Sequence, residues 1–168
     1  MTALAPNGST DRAYLRAALD EAQIALDAGD WPIGAVLVGP GGDVIARARN
    51  ATRTAASRLH HAELQLLLAN MPLVRAHEGR LTVYSTLEPC IMCLSALVMA
   101  RIGRIVWACG DPFGGGTRLL RLDAWPPARR VDLVPEPFPD LKQASKQALL
   151  AYLERRGDVE KLALFQEV

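Results

Sequence analysis

Two short clusters constrain this chain more than anything else in it: His61-Ala62-Glu63 and, after 25 intervening residues, Pro89-Cys90-Ile91-Met92-Cys93. One imidazole and two thiols make a three-ligand set for zinc, with a fourth position open for water. A fold that uses this set must bring both clusters to one point. Cys90 and Cys93 are three residues apart, so on a helix they share a face and both sulfurs can reach one ion. His61 and Cys90 each fall in the first turn of a predicted helix, where exposed N–H groups and the helix dipole favour a thiolate. Glu63 lies two residues beyond His61, points in another direction and is spared from ligation. That placing suits a general acid and base working beside an activated water.

A C-x-x-C pair has other readings: a redox dithiol, or two small buried core residues. The histidine, glutamate and proline that accompany it in order favour the metal. A structural zinc would want a fourth protein ligand, and His60, His77 and Cys109 are the candidates on paper. His60 neighbours His61 and would point elsewhere, His77 reads as a solvated loop residue, and Cys109 ends an apolar strand as a small core side chain.

Composition narrows the class. A chain of 168 residues, half of them hydrophobic, fits one domain with a sizeable core. The formal net charge is +1 and no long basic run occurs, so general affinity for polyanions is not indicated. Three cysteines without a disulfide-like framework point to metal or redox chemistry in a reducing compartment. No apolar run reaches the roughly 18 residues of a spanning helix, and Met1 to Thr10 has neither the basic nor the apolar region of a signal peptide. The expectation is a cytoplasmic chain with no membrane association, a flexible lead over 1–10 and a single domain over 11–168.

Along the chain, Asp11 reads as the N-cap of a helix through Ala28, stopped by Gly29. Residues 33–38 and 44–49 read as paired strands around the turn 39–43. A helix over 61–70, with Leu64, Leu67 and Leu68 inward and Pro72 past its end, precedes an alternating strand over 81–86. A helix over 90–101, a strand over 104–109 and a glycine-rich loop over 111–116 follow. A strand over 131–134, a helix over 141–156 and a short helical tail over 158–167 close the chain. The alternation implies a three-layer α/β/α arrangement with helices on both faces of a mixed sheet.

The clusters together form the H-x-E…P-C-x-x-C signature of zinc deaminases, and the chain resembles the cytidine and deoxycytidylate deaminase superfamily. It is most similar to the branch of tRNA adenosine deaminases, guanine deaminases and cytosine deaminases. Trp31-Pro32-Ile33-Gly34-Ala35-Val36-Leu37-Val38, Asn50, His61-Ala62-Glu63, Thr86 to Cys93 and Arg101-Ile102-Gly103-Arg104-Ile105-Val106 carry the resemblance. It implies a cytidine-deaminase-like fold with a five-stranded mixed sheet, usually in a homodimer. It also implies Zn2+ on His61, Cys90 and Cys93, with Glu63 as proton shuttle. Asn50 would hydrogen-bond the substrate, Ile33 would line the base pocket beside Ala62, and backbone near Leu87 and Glu88 would approach the amino group. Asn50 has a second reading as a strand-ending turn residue.

Departures from the tRNA enzymes bear on substrate. Ser57-Arg58-Leu59-His60 replaces their Asp-Pro-Thr-Ala lead, and Cys109-Gly110-Asp111-Pro112-Phe113-Gly114-Gly115-Gly116 replaces their small-residue loop. The charge-mixed run 154–161 stands where they carry basic residues that meet RNA phosphates. Phe113 falls where cytosine deaminases hold an aromatic over the base; it equally reads as a loop anchor. Phe165 to Glu167 loosely resembles their closing segment. The sequence therefore reads as a zinc-dependent hydrolytic deaminase of a nucleobase, nucleoside or related amino-heterocycle that releases ammonia. tRNA adenosine deamination is the alternative reading, and an inactive zinc scaffold, which would have no use for Glu63, stands behind both.

Overall fold

The computed structural model describes residues 8–167. Helix α1 (Gly8–Asp27) leads into strands β1 (Gly34–Val38) and β2 (Val44–Arg49). Helix α2 (Ala62–Ala76), β3 (Thr82–Leu87), α3 (Ile91–Met99) and β4 (Arg104–Cys109) follow. A short α4 (Gly116–Leu119) and a 3-10 turn (Pro126–Arg130) precede β5 (Asp132–Pro135), α5 (Pro139–Arg156) and α6 (Val159–Gln166). The strands form one sheet in the order β2-β1-β3-β4-β5. Pairs β2/β1 and β1/β3 are antiparallel, whereas β3/β4 and β4/β5 are parallel. This is the mixed five-stranded α/β/α architecture anticipated from the sequence.

Side-chain alternation along β1 divides the core between the two faces. Ala35 and Leu37 pack with Leu66, Leu67, Leu94 and Leu97 from α2 and α3. Val36 and Val38 pack on the other face with Leu15 and Ala18 of α1 and Leu141 of α5. A third cluster joins Leu87 and Cys109 at the ends of β3 and β4 to Leu149, Tyr152 and Phe165 from the C-terminal helices. Cys109 is thus the small core residue its strand implied. Gly34 is required where α1 crosses β1, because a Cβ there would stand 2.0 Å from the Ala18 carbonyl oxygen.

Several boundaries differ from the sequence reading for identifiable reasons. Helix α1 starts at Gly8, so residues 8–10 are helical; residues 1–7 of the expected lead lie outside the described residues. Asp11 is not the cap. It is buried, accepting two hydrogen bonds from the Arg104 guanidinium at 2.8 Å each and one from the Tyr84 hydroxyl at 2.6 Å. A short carboxylate serves a cap or a buried ion pair equally well, and here the pair ties α1 to β3 and β4.

Helix α2 does not stop before Pro72. It kinks at Asn70 (φ −125°, ψ 17°) and a second helical segment carries Pro72 near its start, where the missing N–H is not needed. The buried stripe of the first segment runs through Ala62, Glu63, Leu66 and Leu67 at helical spacing, which leaves Leu68 outside it and 72% exposed rather than inward. Strand β3 is buried throughout rather than alternating, because helices cover both faces of the sheet around it.

Candidate active site

His61 and Cys90 are the N-cap residues of α2 and α3, in extended conformation (ψ 147° and 170°) rather than inside the first turns. Cys93 follows within the first turn of α3 and is fully buried. The ligand atoms of the three residues all lie within 4.8 Å of one another, with His61 Nδ1 3.6 Å from Cys90 Sγ. Tetrahedral zinc with bonds of about 2.0–2.3 Å needs ligand–ligand edges of about 3.5–3.8 Å, so the donor set fits that ion in type and spacing. The backbone carbonyl of Arg58 also favours the charged form of the His61 ring, the kind of acceptor that can orient a ligating imidazole.

The protons of the metal-free triad are unevenly held. A hydrogen bond from Cys93 and a further one from His61 pull the Cys90 thiol down to about 4, even though burial opposes them. Cys93 keeps its proton, held by Cys90 and by burial beside Glu63. His61 is raised, first through its bond to Cys90. Metal binding would release the protons held by His61 and Cys93.

Glu63 is 3% exposed and accepts a hydrogen bond from the Ser85 hydroxyl at 3.0 Å. Burial pushes its carboxyl above the ordinary range. A carboxyl that is raised, buried and held beside Cys93 can both take and return a proton.

The triad opens into a cavity of about 450 Å³. Ile33, Asn50, Leu87 and Phe113, four of the residues expected at the substrate, line it. Asn50 is 2% exposed and takes the turn role that was its second reading. Its Oδ1 accepts from the backbone N–H and hydroxyl of Thr52, the turn role, which leaves its amide N–H groups to the cavity. Phe113, 55% exposed, sits at the rim.

Two anticipated contacts are absent from the cavity wall. Ala62 is fully buried in the core beneath α2. The Glu88 carboxylate is engaged away from the cavity: it accepts from the backbone N–H groups of Asp111 (3.2 Å) and Thr117 (3.0 Å) and from the Thr117 hydroxyl. Glu88 therefore clamps the 110–117 loop onto the segment carrying the cysteines. A bridge between Cys90 and Gly115 and a bond from Gly116 N–H to the Pro89 carbonyl reinforce the clamp. Gly115 permits this approach, since a Cβ there would lie 2.5 Å from the Glu88 carboxylate.

His60 and His77, the other paper ligands, do not join the triad. A further cavity of about 330 Å³ lies between the C-terminal end of α3 and Pro126–Arg130, and no triad residue lines it.

Sequence reasoning gave no site role to Thr52, Arg58, Asp111 or Lys161, although Arg58, Asp111 and Lys161 fall in the segments that depart from the tRNA enzymes; all four line the site cavity. Trp31 also lines it and did stand in a quoted motif, stacked on Tyr152 with ring centroids 4.7 Å apart. Phe165 anchors α6 against this aromatic pair, and Lys161 of α6 reaches over the Phe113 ring at 4.8 Å. A segment far down the chain thus walls the cavity, and only the Phe165 resemblance hinted at it.

Fold and donor set together define the class: an α/β/α deaminase-type scaffold with a His/Cys/Cys centre. The model of the cytidine and deoxycytidylate deaminase zinc-binding region matches residues 8–109, and the chain belongs to this family. The tRNA-specific adenosine deaminase of Bacillus subtilis is 41% identical over 107 residues, 62% of this chain. The match spans 65% of that relative's length. A solved structure from work on A-to-I editing by tRNA:A34 deaminases is 33% identical, with a TM-score of 0.71 over 82% of this chain and 99% of that one. The guanine deaminase of Nitrosomonas europaea shares the fold at 18% identity, with a TM-score of 0.68 over 90% of this chain and 86% of that one. Among the described residues no helix is long and apolar enough to cross a membrane.

Proposed function

We propose that this chain is a zinc-dependent hydrolytic deaminase that converts adenosine to inosine in a tRNA loop. The observation carrying the chemistry is the His61/Cys90/Cys93 set with a buried Glu63 beside it, at a base-sized cavity lined by His61 and Cys90. The similarity to tRNA adenosine deaminases, at 41% and 33% identity, supports adenosine in tRNA as substrate over the free base of the main sequence reading. Residues 11–168 are taken as the deaminase domain.

His61, Cys90 and Cys93 would hold the zinc, which when bound polarises water and lowers its pKa toward neutrality. Asn50 donates its amide N–H groups to the base and fixes its orientation. Glu63 takes the proton of the attacking water and passes it to the ring nitrogen as a C–O bond forms at the amino-bearing carbon. Glu63 then takes the remaining proton from the added hydroxyl and delivers it to the amino group, the C–N bond breaks as the C=O bond forms, and ammonia leaves. Burial of Glu63 keeps bulk water from short-circuiting these transfers. Exposed Leu68 on α2 and Ile91 and Met99 on α3 support the homodimer.

A second reading, deamination of a free base, is favoured by one observation: Phe113, Lys161 and Phe165 wall the cavity from the C-terminal side, where a splayed RNA base needs an open approach. Inosine formation in an anticodon stem–loop, measured beside ammonia release from adenine, guanine, cytosine and their nucleosides, separates the two. Inosine in the stem–loop supports the tRNA reading. Ammonia from free bases alone overturns it.

A further inference from the structure

The cavity that carries the triad also gathers two cations from distant parts of the chain. Arg58 comes from the loop before α2 and Lys161 from α6, 103 positions later (161 minus 58). Both line the cavity, and neither motif of the deaminase signature contains them. Arg58 lies three positions before His61 in the chain, so its side chain starts at the edge of the same cavity. Arg58 is exposed, and no hydrogen bond or ion pair of its guanidinium is seen among the described residues. Five N–H donors in a planar fork are therefore open to a ligand.

Lys161 is held in advance of any ligand. Its ammonium pairs with Asp158 Oδ2 at 2.7 Å and lies 4.8 Å over the Phe113 ring. An ammonium has three N–H donors, so these two contacts leave capacity for another acceptor. Asp111 also lines the cavity, but its Oδ1 accepts from the backbone N–H groups of Phe113 and Gly114, inside its own loop. The cavity therefore has an apolar and amide-lined interior for a heterocycle and a rim with two available cations.

We propose that Arg58 and Lys161 form a phosphate subsite, which binds the phosphate attached to the ribose of the base undergoing deamination. This rests on the cavity being the base site. Phosphate suits the pair, since a guanidinium fork binds it in bidentate fashion and lysine binds it as a point charge. The same chemistry is offered by a 5′-mononucleotide and by a phosphodiester of an RNA loop. The subsite makes phosphate-free bases and nucleosides the poorer ligands.

The test uses the zinc-loaded full chain and its Arg58→Ala, Lys161→Ala and Arg58→Lys variants. Inorganic phosphate and adenosine 5′-monophosphate are titrated by calorimetry. A fluorescein-labelled anticodon stem–loop is titrated by anisotropy at several salt concentrations. Arg16→Ala, on the exposed side of α1, is the cation control.

Each alanine variant should weaken binding of a phosphate-bearing probe by about 10–100-fold, the range for a hydrogen bond to a charged group. Arg58→Lys should recover only part of the affinity lost in Arg58→Ala, because a point charge replaces the bidentate fork, and Arg16→Ala should change nothing. The salt slope for the stem–loop should fall by about one per cation removed. Losses on phosphate and the mononucleotide assign the subsite to mononucleotides, whereas losses confined to the stem–loop assign it to a phosphodiester.

Wild-type affinity and slope in both alanine variants would overturn the subsite, as would failure of all three probes to bind the wild-type chain. Unchanged binding with inosine still formed removes the subsite and leaves the deaminase reading. Lost mononucleotide binding in the variants, with no inosine in any stem–loop, keeps the subsite and removes the tRNA reading.

Discussion

Glu88 belongs to the same short motif as the cysteines, yet the structure gives it a different task from theirs, and Glu88→Gln exposes that task. The carboxylate accepts from Asp111 N–H through Oε2 and from Thr117 through Oε1. Glutamine keeps one acceptor oxygen and presents an NH2 group where the other oxygen received the Asp111 N–H. One hydrogen bond to a charged group is lost, and two donors then face each other. A loss of about 1.5–3 kcal/mol follows, which for a domain of this size lowers Tm by about 3–12 °C. The loop it releases carries Phe113 and Gly114 of the cavity wall, so substrate binding should weaken while zinc stays bound.

Thermal unfolding, zinc content and steady-state kinetics on the zinc-loaded variant check this. The clamp predicts a lower Tm, an unchanged zinc content and a raised KM with kcat largely retained. Direct contact of Glu88 with substrate would instead collapse kcat/KM with Tm unchanged, and that result would refute the clamp.

Other consequences follow from the same contacts. Burial alone would raise the Asp11 carboxyl, but hydrogen bonds from Arg104 and Tyr84 outweigh it and hold it below the usual range. Its stabilising contribution is therefore complete above the ordinary carboxylate pKa and is lost as pH falls through the lowered folded value. Asp11→Ala should cost about 3–5 kcal/mol near neutrality, and the gap from wild type in urea midpoints should narrow below about pH 4; a pH-independent gap contradicts the pair. Cys93→Ser should lose zinc and stability together, because binding and folding are coupled; full zinc occupancy by atomic absorption would remove Cys93 from the ligand set. Phe113→Ala removes an exposed ring under Lys161, so it should leave Tm within about 1–3 °C and raise KM by about 3–10-fold. An unchanged KM would make Phe113 a loop anchor only.

What the sequence made legible was local. The cysteines three residues apart, the histidine with its neighbouring glutamate, and the strand 104–109 each carry their meaning within a few positions. The turn role of Asn50 was legible because its oxygen serves Thr52 only two positions on. What stayed hidden depended on tertiary proximity. Nothing near Lys161 marks it as a cavity residue; Phe165 packing on Trp31 and Tyr152 brings α6 there. The clamp made by the Glu88 carboxylate was hidden too, because the two N–H groups and the hydroxyl it accepts from come from the 111–117 loop. The charge-mixed C-terminal run argued against phosphate contacts, but its single lysine, Lys161, lines the same cavity as Arg58. Charge gathered from separate segments is invisible to a scan for basic runs.

The central claim is that His61, Cys90 and Cys93 hold a metal whose chemistry depends on the proton carried by Glu63. Turnover of an anticodon stem–loop by zinc-loaded wild type and Glu63→Gln, with zinc measured on the same samples, tests it most directly. Glutamine fits the Ser85 contact and leaves every ligand in place, so zinc should remain at one per chain while inosine formation falls by at least about 10²–10⁴-fold. Inosine formation near the wild-type rate in a zinc-replete Glu63→Gln sample would contradict the account.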